Sequence, residues 1–252
     1  MVASQSSESI AVVVPTLNEV ENVEPLVRQI MECVPDCAEI IIVDDNSTDG
    51  TPARVCTLAA SFPVRLLERE NPTLGLAGAV MAGARLAQSA LLVVMDADLS
   101  HPPAAIQALL EPLVAGRADM VIGSRYVKGG TTPGWPIYRR MMSRAAAAMA
   151  YPLAGVHDSM GGFFAIRRSL LLELAPAATG FKIAFEAIVH GGRGLRVVEV
   201  PIAFRDRARG ASKMSLSVAL LFAGRWLAAV LRIIFRRHVS RRAVPAPARR
   251  TE

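Results

Sequence analysis

Three short, nearly unbroken apolar runs constrain this chain more than any other feature: Ile10–Pro15 (IAVVVP), Glu39–Val43 (EIIIV) and Ala90–Met95 (ALLVVM). A strand wet on one face alternates apolar with polar residues, whereas these runs do not alternate. They suit only the interior of a sheet covered on both faces. Between and after them the pattern is helical: up to Val34, then over Pro52–Ala60, Gly75–Gln88 and Pro103–Ala115. Val64–Leu67 and Met120–Gly123 read as two more strands. Strands alternating with helices of this length make βαβ units, and right-handed crossovers wind them into an α/β, doubly wound, mainly parallel sheet. A chain of 252 residues with 52% hydrophobic content can bury such a core. No G-x-G-x-x-G follows the first strand, which argues against a dinucleotide-dependent oxidoreductase.

The third of these runs ends abruptly in Asp96-Ala97-Asp98-Leu99-Ser100-His101-Pro102-Pro103. Ionised carboxylates do not sit unpartnered inside a sheet. They belong where the strand leaves it, at the carboxyl edge, where open α/β sheets bind ligands. Residues two apart on an extended chain face one way, so Asp96 and Asp98 can meet one ligand. Two hard oxygens completed by a diphosphate suit Mg²⁺ or Mn²⁺. Taken alone, the motif reads equally well as a strand-end turn in which Asp98 caps the next helix. Asp44-Asp45 at the end of the second run is open to the same two readings. His101 and His157 read as structural.

Beyond Arg125 the pattern loosens. Lys128–Pro136 is a Gly/Pro loop, and Ile137–Leu153 is helical with a basic cluster at Arg139, Arg140 and Arg144. Residues 158–166 read as a turn into a strand, Phe181–His190 as a short helix, and Arg196–Ile202 as a strand. The net charge of +6 is unevenly placed. Residues 1–204 carry 20 acidic against 16 basic side chains, and residues 205–252 carry 2 against 12. Such asymmetry points to an anionic surface or ligand at the C-terminal end. Few aromatic residues stand near Arg205, Arg207, Arg209 and Lys213, which argues against single-stranded nucleic acid. Residues 216–235 are apolar apart from Arg225 and Arg232, with Arg236 just beyond, all on one helical stripe. A charge in mid-span costs about 2.5–3.5 kcal/mol. The stripe therefore favours a helix in the membrane plane, or docked on a membrane-protein partner, over one that spans or packs in the chain's own core. The N-terminal residues 1–9 are too polar for a signal sequence. Cys33, Cys37 and Cys56 have no histidine at zinc spacing and read as reduced thiols.

The blocks VVVPTLNEVENV, IIVDDNSTDGT, NPTLGLAGAV, MDADLSHPP and VIGSRYVKGG, in this order, resemble family 2 glycosyltransferases of the GT-A fold. DSMGGFFAIRRS, GFKIAFE and VPIAFRDRARGASKMS are similar to the polyprenol-phosphate (dolichol-phosphate) mannose synthases within that family. The resemblance implies that Pro15, Leu17 and Glu19 border a nucleotide, with Val43, Asp45 and the adjacent Asp44 at its base and ribose. It places Asp96, Ala97 and Asp98 at the diphosphate, with Asp98 on the metal. It turns Arg125, Arg207 and Lys213 toward the phosphates and gives Arg139 to the acceptor phosphate. Ser100 stands where some members carry a glutamine metal ligand. The implied reaction is inverting, metal-dependent transfer of mannose from GDP-mannose to a polyprenyl phosphate on the cytoplasmic membrane face. A UDP-sugar donor (glucose or an N-acetylhexosamine) is the alternative. Nucleic acid is not an expected partner. The implied division is a catalytic domain over 1–214, the arginine-striped helix over 215–237, and a disordered basic tail over 238–252.

Overall fold

The computed structural model describes residues 8–175 and 182–206. The striped helix and basic tail expected beyond residue 214 lie outside them, as do Arg207 and Lys213. Among the described residues the order is β1 (Ile10–Thr16), α1 (Val23–Cys33), β2 (Glu39–Asp44), α2 (Thr51–Leu58), β3 (Val64–Glu68), α3 (Gly75–Leu86), β4 (Leu91–Val94), α4 (Ile106–Val114), β5 (Met120–Ser124), α5 (Ile137–Ala154), β6 (Phe164–Arg167), α6 (Arg168–Leu174), α7 (Ile183–Gly191) and β7 (Val197–Pro201). The strands form one seven-stranded sheet in the order β3-β2-β1-β4-β6-β5-β7. All pairings are parallel except those of β6, which runs antiparallel to both β4 and β5.

The expected double winding is present. Val12 and Val14 of β1 pack with α1, α2 and α4, whereas Ala11 and Val13 pack with α3, α6 and α7 on the opposite face. Each of these β1 residues is fully buried, which explains the unbroken apolar run. Each such valine contributes on the order of 1.5–3 kcal/mol by leaving water. The Ala/Gly composition of α3 lets it lie close to the sheet. A Cβ on Gly83 would come within 2.5 Å of Val13 Cγ1.

Two details depart from the sequence reading. The helix expected from Pro103 begins as a 3₁₀ turn over Pro103–Ala105, with the Ala105 N–H donating to Pro102 O, before α4 proper starts at Ile106. The short helix α6, directly after β6, has no clear periodic signature in RSLLLEL. No helix among the described residues is long and apolar enough to cross a membrane.

Candidate active site

The chain leaves β1 toward β2 on one side, and β4 pairs with β1 on the other. The strand order therefore reverses at β1, and the carboxyl ends of β1, β2 and β4 border one crevice. In open α/β sheets this is the ligand position.

The crevice is shaped by side chains that tie its loops together. Register sets Thr16 opposite Asp44. Thr16 Oγ1 donates to Asp44 Oδ2 at 2.8 Å, and the Ser47 N–H and hydroxyl donate to the same carboxylate at 2.7 and 2.6 Å. Asp44 has no exposure, so it holds the shape of the cleft from beneath. Asn18 adopts φ 57°, a left-handed conformation that asparagine tolerates. Its N–H reaches Ser47 Oγ, and its Oδ1 accepts the Thr48 N–H. The Glu19 N–H donates to Thr51 Oγ1, and the Glu19 carboxylate accepts from Asn22 Nδ2 at 2.7 Å. Leu17 is exposed on this rim, Pro15 is half-buried, and Val43 is buried beneath. Asp45 faces Arg69, which donates from Nε at 2.7 Å and Nη2 at 3.0 Å. Arg69 also holds the carbonyls of Thr73 and Gly75, so it fastens the loop before α3 to Asp45. The sequence reading gave Arg69 no role.

After β4 the chain turns; it does not run on extended. Leu99 sits at φ 60°, and Asp98 Oδ1 accepts the Ser100 N–H at 3.1 Å, two residues on. Asp98 therefore closes a local turn, and the following 3₁₀ turn has Pro102 at its start with no side-chain cap. The two aspartates occupy different environments: Asp98 is 5% exposed, whereas the Asp96 side chain is 37% exposed. Ala97 between them is buried. The Asp96 N–H donates to His101 Nδ1 at 3.0 Å, which places the imidazole proton on Nε2. His101 stacks on Phe163 at 5.1 Å and meets the edge of Phe204 at 5.3 Å. Burial pushes its pKa below the ordinary histidine value, against the pull of Asp96 and Asp98. His101 thus anchors the loop as a neutral ring, in line with its structural reading. Gly162 backs Asp96: a Cβ there would lie 3.2 and 3.4 Å from the two carboxylate oxygens.

The cationic side of the crevice comes from the end of β5 and from the turn before β6. Asp158 has no exposure and grips Arg125 through three donors: the backbone N–H at 2.9 Å, Nε at 2.8 Å and Nη2 at 2.7 Å. Arg125 is held charged: burial disfavours the cation, but the hydrogen bonds and charge of Asp158 outweigh it and raise its pKa. Glu199 of β7 braces this turn by accepting the N–H groups of His157 and Asp158 at 2.8 and 2.9 Å. Lys182, just before α7, donates from Nζ to Met160 O at 2.8 Å. Its pKa is pushed down, first by burial and then by Arg125, while Asp96 and Asp158 act in the opposite sense. Sequence reading quoted Lys182 within a block but assigned it nothing. Only its spatial approach to Asp96, Arg125 and Asp158 marks it. Arg139, in the first turn of α5, lies 4.0 Å above the Trp135 ring and donates to Asp206 at 2.6 Å.

The sequence profile of Glycosyl transferase family 2 matches residues 11–175. The chain belongs to this family. The described residues of this family 2 chain carry the expected GT-A architecture, a mainly parallel sheet with helices on both faces. It is 41% identical to a dolichol-phosphate mannosyltransferase of Pyrococcus furiosus over 212 residues, which cover 81% of the chain and 59% of that relative. The chain therefore spans about three-fifths of that protein's length. It is 40% identical to a polyprenol monophosphomannose synthase of Mycolicibacterium smegmatis over 219 residues, covering 81% and 80% of the two chains. Among solved structures it resembles the glucosyl-3-phosphoglycerate synthase of Mycobacterium tuberculosis, determined with Mn²⁺, UDP and its product, at a TM-score of 0.67 and 22% identity. That likeness covers 96% of this chain and 82% of the other, and it speaks to the fold.

Proposed function

We propose that this glycosyltransferase moves mannose from GDP-mannose to a polyprenyl monophosphate, with inversion at the anomeric carbon. The observation that carries this reading is the gathering of Arg125, Lys182 and the aspartate turn at one sheet edge, in a chain 38–41% identical to proteins named dolichol-phosphate mannosyltransferase or polyprenol monophosphomannose synthase. Both substrates are anions, and cations must hold two mutually repelling phosphates together. A phosphate acceptor is already ionised near neutral pH, so its oxygen attacks without a strong general base. The new bond joins that oxygen to the anomeric carbon, the bond to the diphosphate breaks, and its electron pair leaves with GDP. Arg125 and Lys182 face the charge that develops there, an electrostatic role of the oxyanion type. We assign Arg207 and Lys213 to the same task. The rim of Pro15, Leu17 and Glu19 borders the nucleotide, and Asp45 faces its base and ribose with Val43 packed beneath.

The donor set fits a divalent metal. Asp96 and Asp98 offer hard oxygens, and Ser100 Oγ is buried with no hydrogen-bond partner among the described residues. No cluster of three or more His, Cys, Asp or Glu among the described residues forms a complete cage. Mg²⁺ and Mn²⁺ sites of this kind take one or two carboxylates plus substrate phosphates. Asp98 would hold the metal with the donor diphosphate, Asp96 would serve the nucleotide side, and Ser100 would be the third oxygen. The metal would supply charge neutralisation for the leaving group.

Residues 1–214 form the catalytic domain in this reading, with 215–237 as a membrane- or partner-associated helix and 238–252 as a basic tail. The lipid side is also marked within the catalytic domain. Helix α5 exposes Ile137, Tyr138, Met141, Met142 and Met149 beside Arg139, Arg140 and Arg144. Greasy and cationic residues together suit the plane of an anionic membrane surface, here the cytoplasmic face. The test is transfer of radiolabelled sugar from GDP-mannose and from a panel of UDP-sugars to polyprenyl phosphate, with Mg²⁺ or Mn²⁺ and with EDTA. Mannosyl transfer from GDP-mannose that EDTA abolishes is expected. No transfer from any donor would sink the reading, and transfer from a UDP-sugar alone would replace the donor.

A further inference from the structure

Trp135 lies where two arginines of the site converge. It lies near the end of the Gly/Pro segment after β5, two residues before α5, with only 6% exposure. The guanidinium carbon of Arg139 is 4.0 Å from its ring centroid, and that of Arg125 is 5.7 Å from the same ring. Both fall within the ~6 Å reach of a cation–π contact. Phe204 meets the indole edge-on at 5.5 Å and lies 5.3 Å from Arg125. The indole N–H is buried and has no hydrogen-bond partner among the described residues, so packing and ring-face contacts hold the ring.

Two guanidiniums drawn toward one point repel each other. A carboxylate already stands beside each: Asp158 on Arg125 and Asp206 on Arg139. A third carboxylate between them would cancel the field that an anionic ligand needs. An aromatic face attracts a cation through its quadrupole and leaves the charge intact. We propose that Trp135 is a positioning residue for the acceptor phosphate: its ring sets the spacing and facing of Arg125 and Arg139 without neutralising them. This rests on the reading that these two arginines receive a prenyl phosphate.

The test uses the full chain with farnesyl monophosphate in detergent micelles. Acceptor affinity is measured by calorimetry without donor, and KM and kcat are measured with GDP-mannose. Trp135→Leu removes the π face and is expected to weaken farnesyl phosphate binding and raise the acceptor KM roughly tenfold, the size of one or two cation–π contacts. Donor KM is expected to stay within about twofold, which loss of general packing would not spare. Trp135→Phe restores a ring without the indole N–H and should recover most of the affinity. Trp135→Met replaces the leucine variant if that one fails to fold. Unchanged acceptor affinity in Trp135→Leu, no recovery in Trp135→Phe, or equal losses for donor and acceptor would overturn the proposal. Wild-type protein that binds no farnesyl phosphate refutes the acceptor reading itself and takes the proposal with it.

Discussion

Asp158→Asn exchanges one oxygen for an amino group in a side chain with no exposure, and its effect can be worked from the bonds around it. Asp158 accepts the Arg125 N–H and Nε on Oδ2 and Nη2 on Oδ1, all between 2.7 and 2.9 Å. An asparagine keeps one carbonyl oxygen. Whichever way the amide turns, at least one Arg125 donor then faces an NH₂ group, and the guanidinium, only 13% exposed, loses its countercharge. A charge-assisted hydrogen bond contributes about 1.5–3 kcal/mol, and breaking a buried pair by altering one partner costs about 3–5 kcal/mol. For a chain of this size each kcal/mol moves the Tm by about 2–4 °C, so a drop of roughly 6–20 °C is expected. Circular dichroism melts of wild type, Asp158→Asn, Arg125→Met and the double variant Arg125→Met/Asp158→Leu make the measurement. The double variant leaves no unpaired buried charge and should be more stable than Arg125→Met alone while transferring no sugar. An Asp158→Asn melt within about 2 °C of wild type, or a double variant no more stable than Arg125→Met alone, refutes the reasoning.

Three further outcomes are expected. Asp98→Asn keeps an acceptor for the Ser100 N–H, so the melt should shift by less than about 2 °C while transfer falls by at least about a hundredfold; retained turnover would falsify the metal role. Gly162→Ala would set a methyl 3.2 Å from an Asp96 oxygen, and steady-state kinetics should show donor kcat/KM down at least about tenfold in a folded protein. Burial of Glu39 disfavours its charge, but the Ser89 and Gln88 donors and Arg65 outweigh this and hold its pKa below the usual 4.5. Because the folded value is the lower one, the stabilisation is complete above pH 4.5 and fades as pH falls through the depressed value. The acid limb of Tm against pH should therefore be shallower for Glu39→Gln than for wild type.

Much of the site was legible because strand ends are legible. The apolar runs stop at Thr16, Asp44 and Asp96, and a parallel sheet collects those ends at one edge whatever the details of packing. The roles of individual carboxylates were less readable. Asp44 and Asp45 are neighbours in sequence, yet one is buried under Thr16 and Ser47 and the other pairs with Arg69. Asp96 and Asp98 separate in the same way, because Leu99 turns left-handed and closes Asp98 onto the Ser100 N–H. Nothing in the local letters marked Lys182, Asp158 or Trp135, since their meaning depends on partners 22, 33 and 4 residues away.

By itself, the sequence determined the layered sheet, the edge that carries the site, and the family to which the chain belongs. Hydrophobic period and the order of polar strand ends are local properties, and they leave few topologies open. The tertiary structure decided which charges meet. Insertion of antiparallel β6 between β4 and β5 brings Gly162 against Asp96 and Asp158 against Arg125. The return of the chain at Phe204 sets an aromatic ring against His101, Trp135 and Arg125 at once. Electrostatic and aromatic contacts act through space over a few ångströms, so their pattern exists only after the sheet has closed.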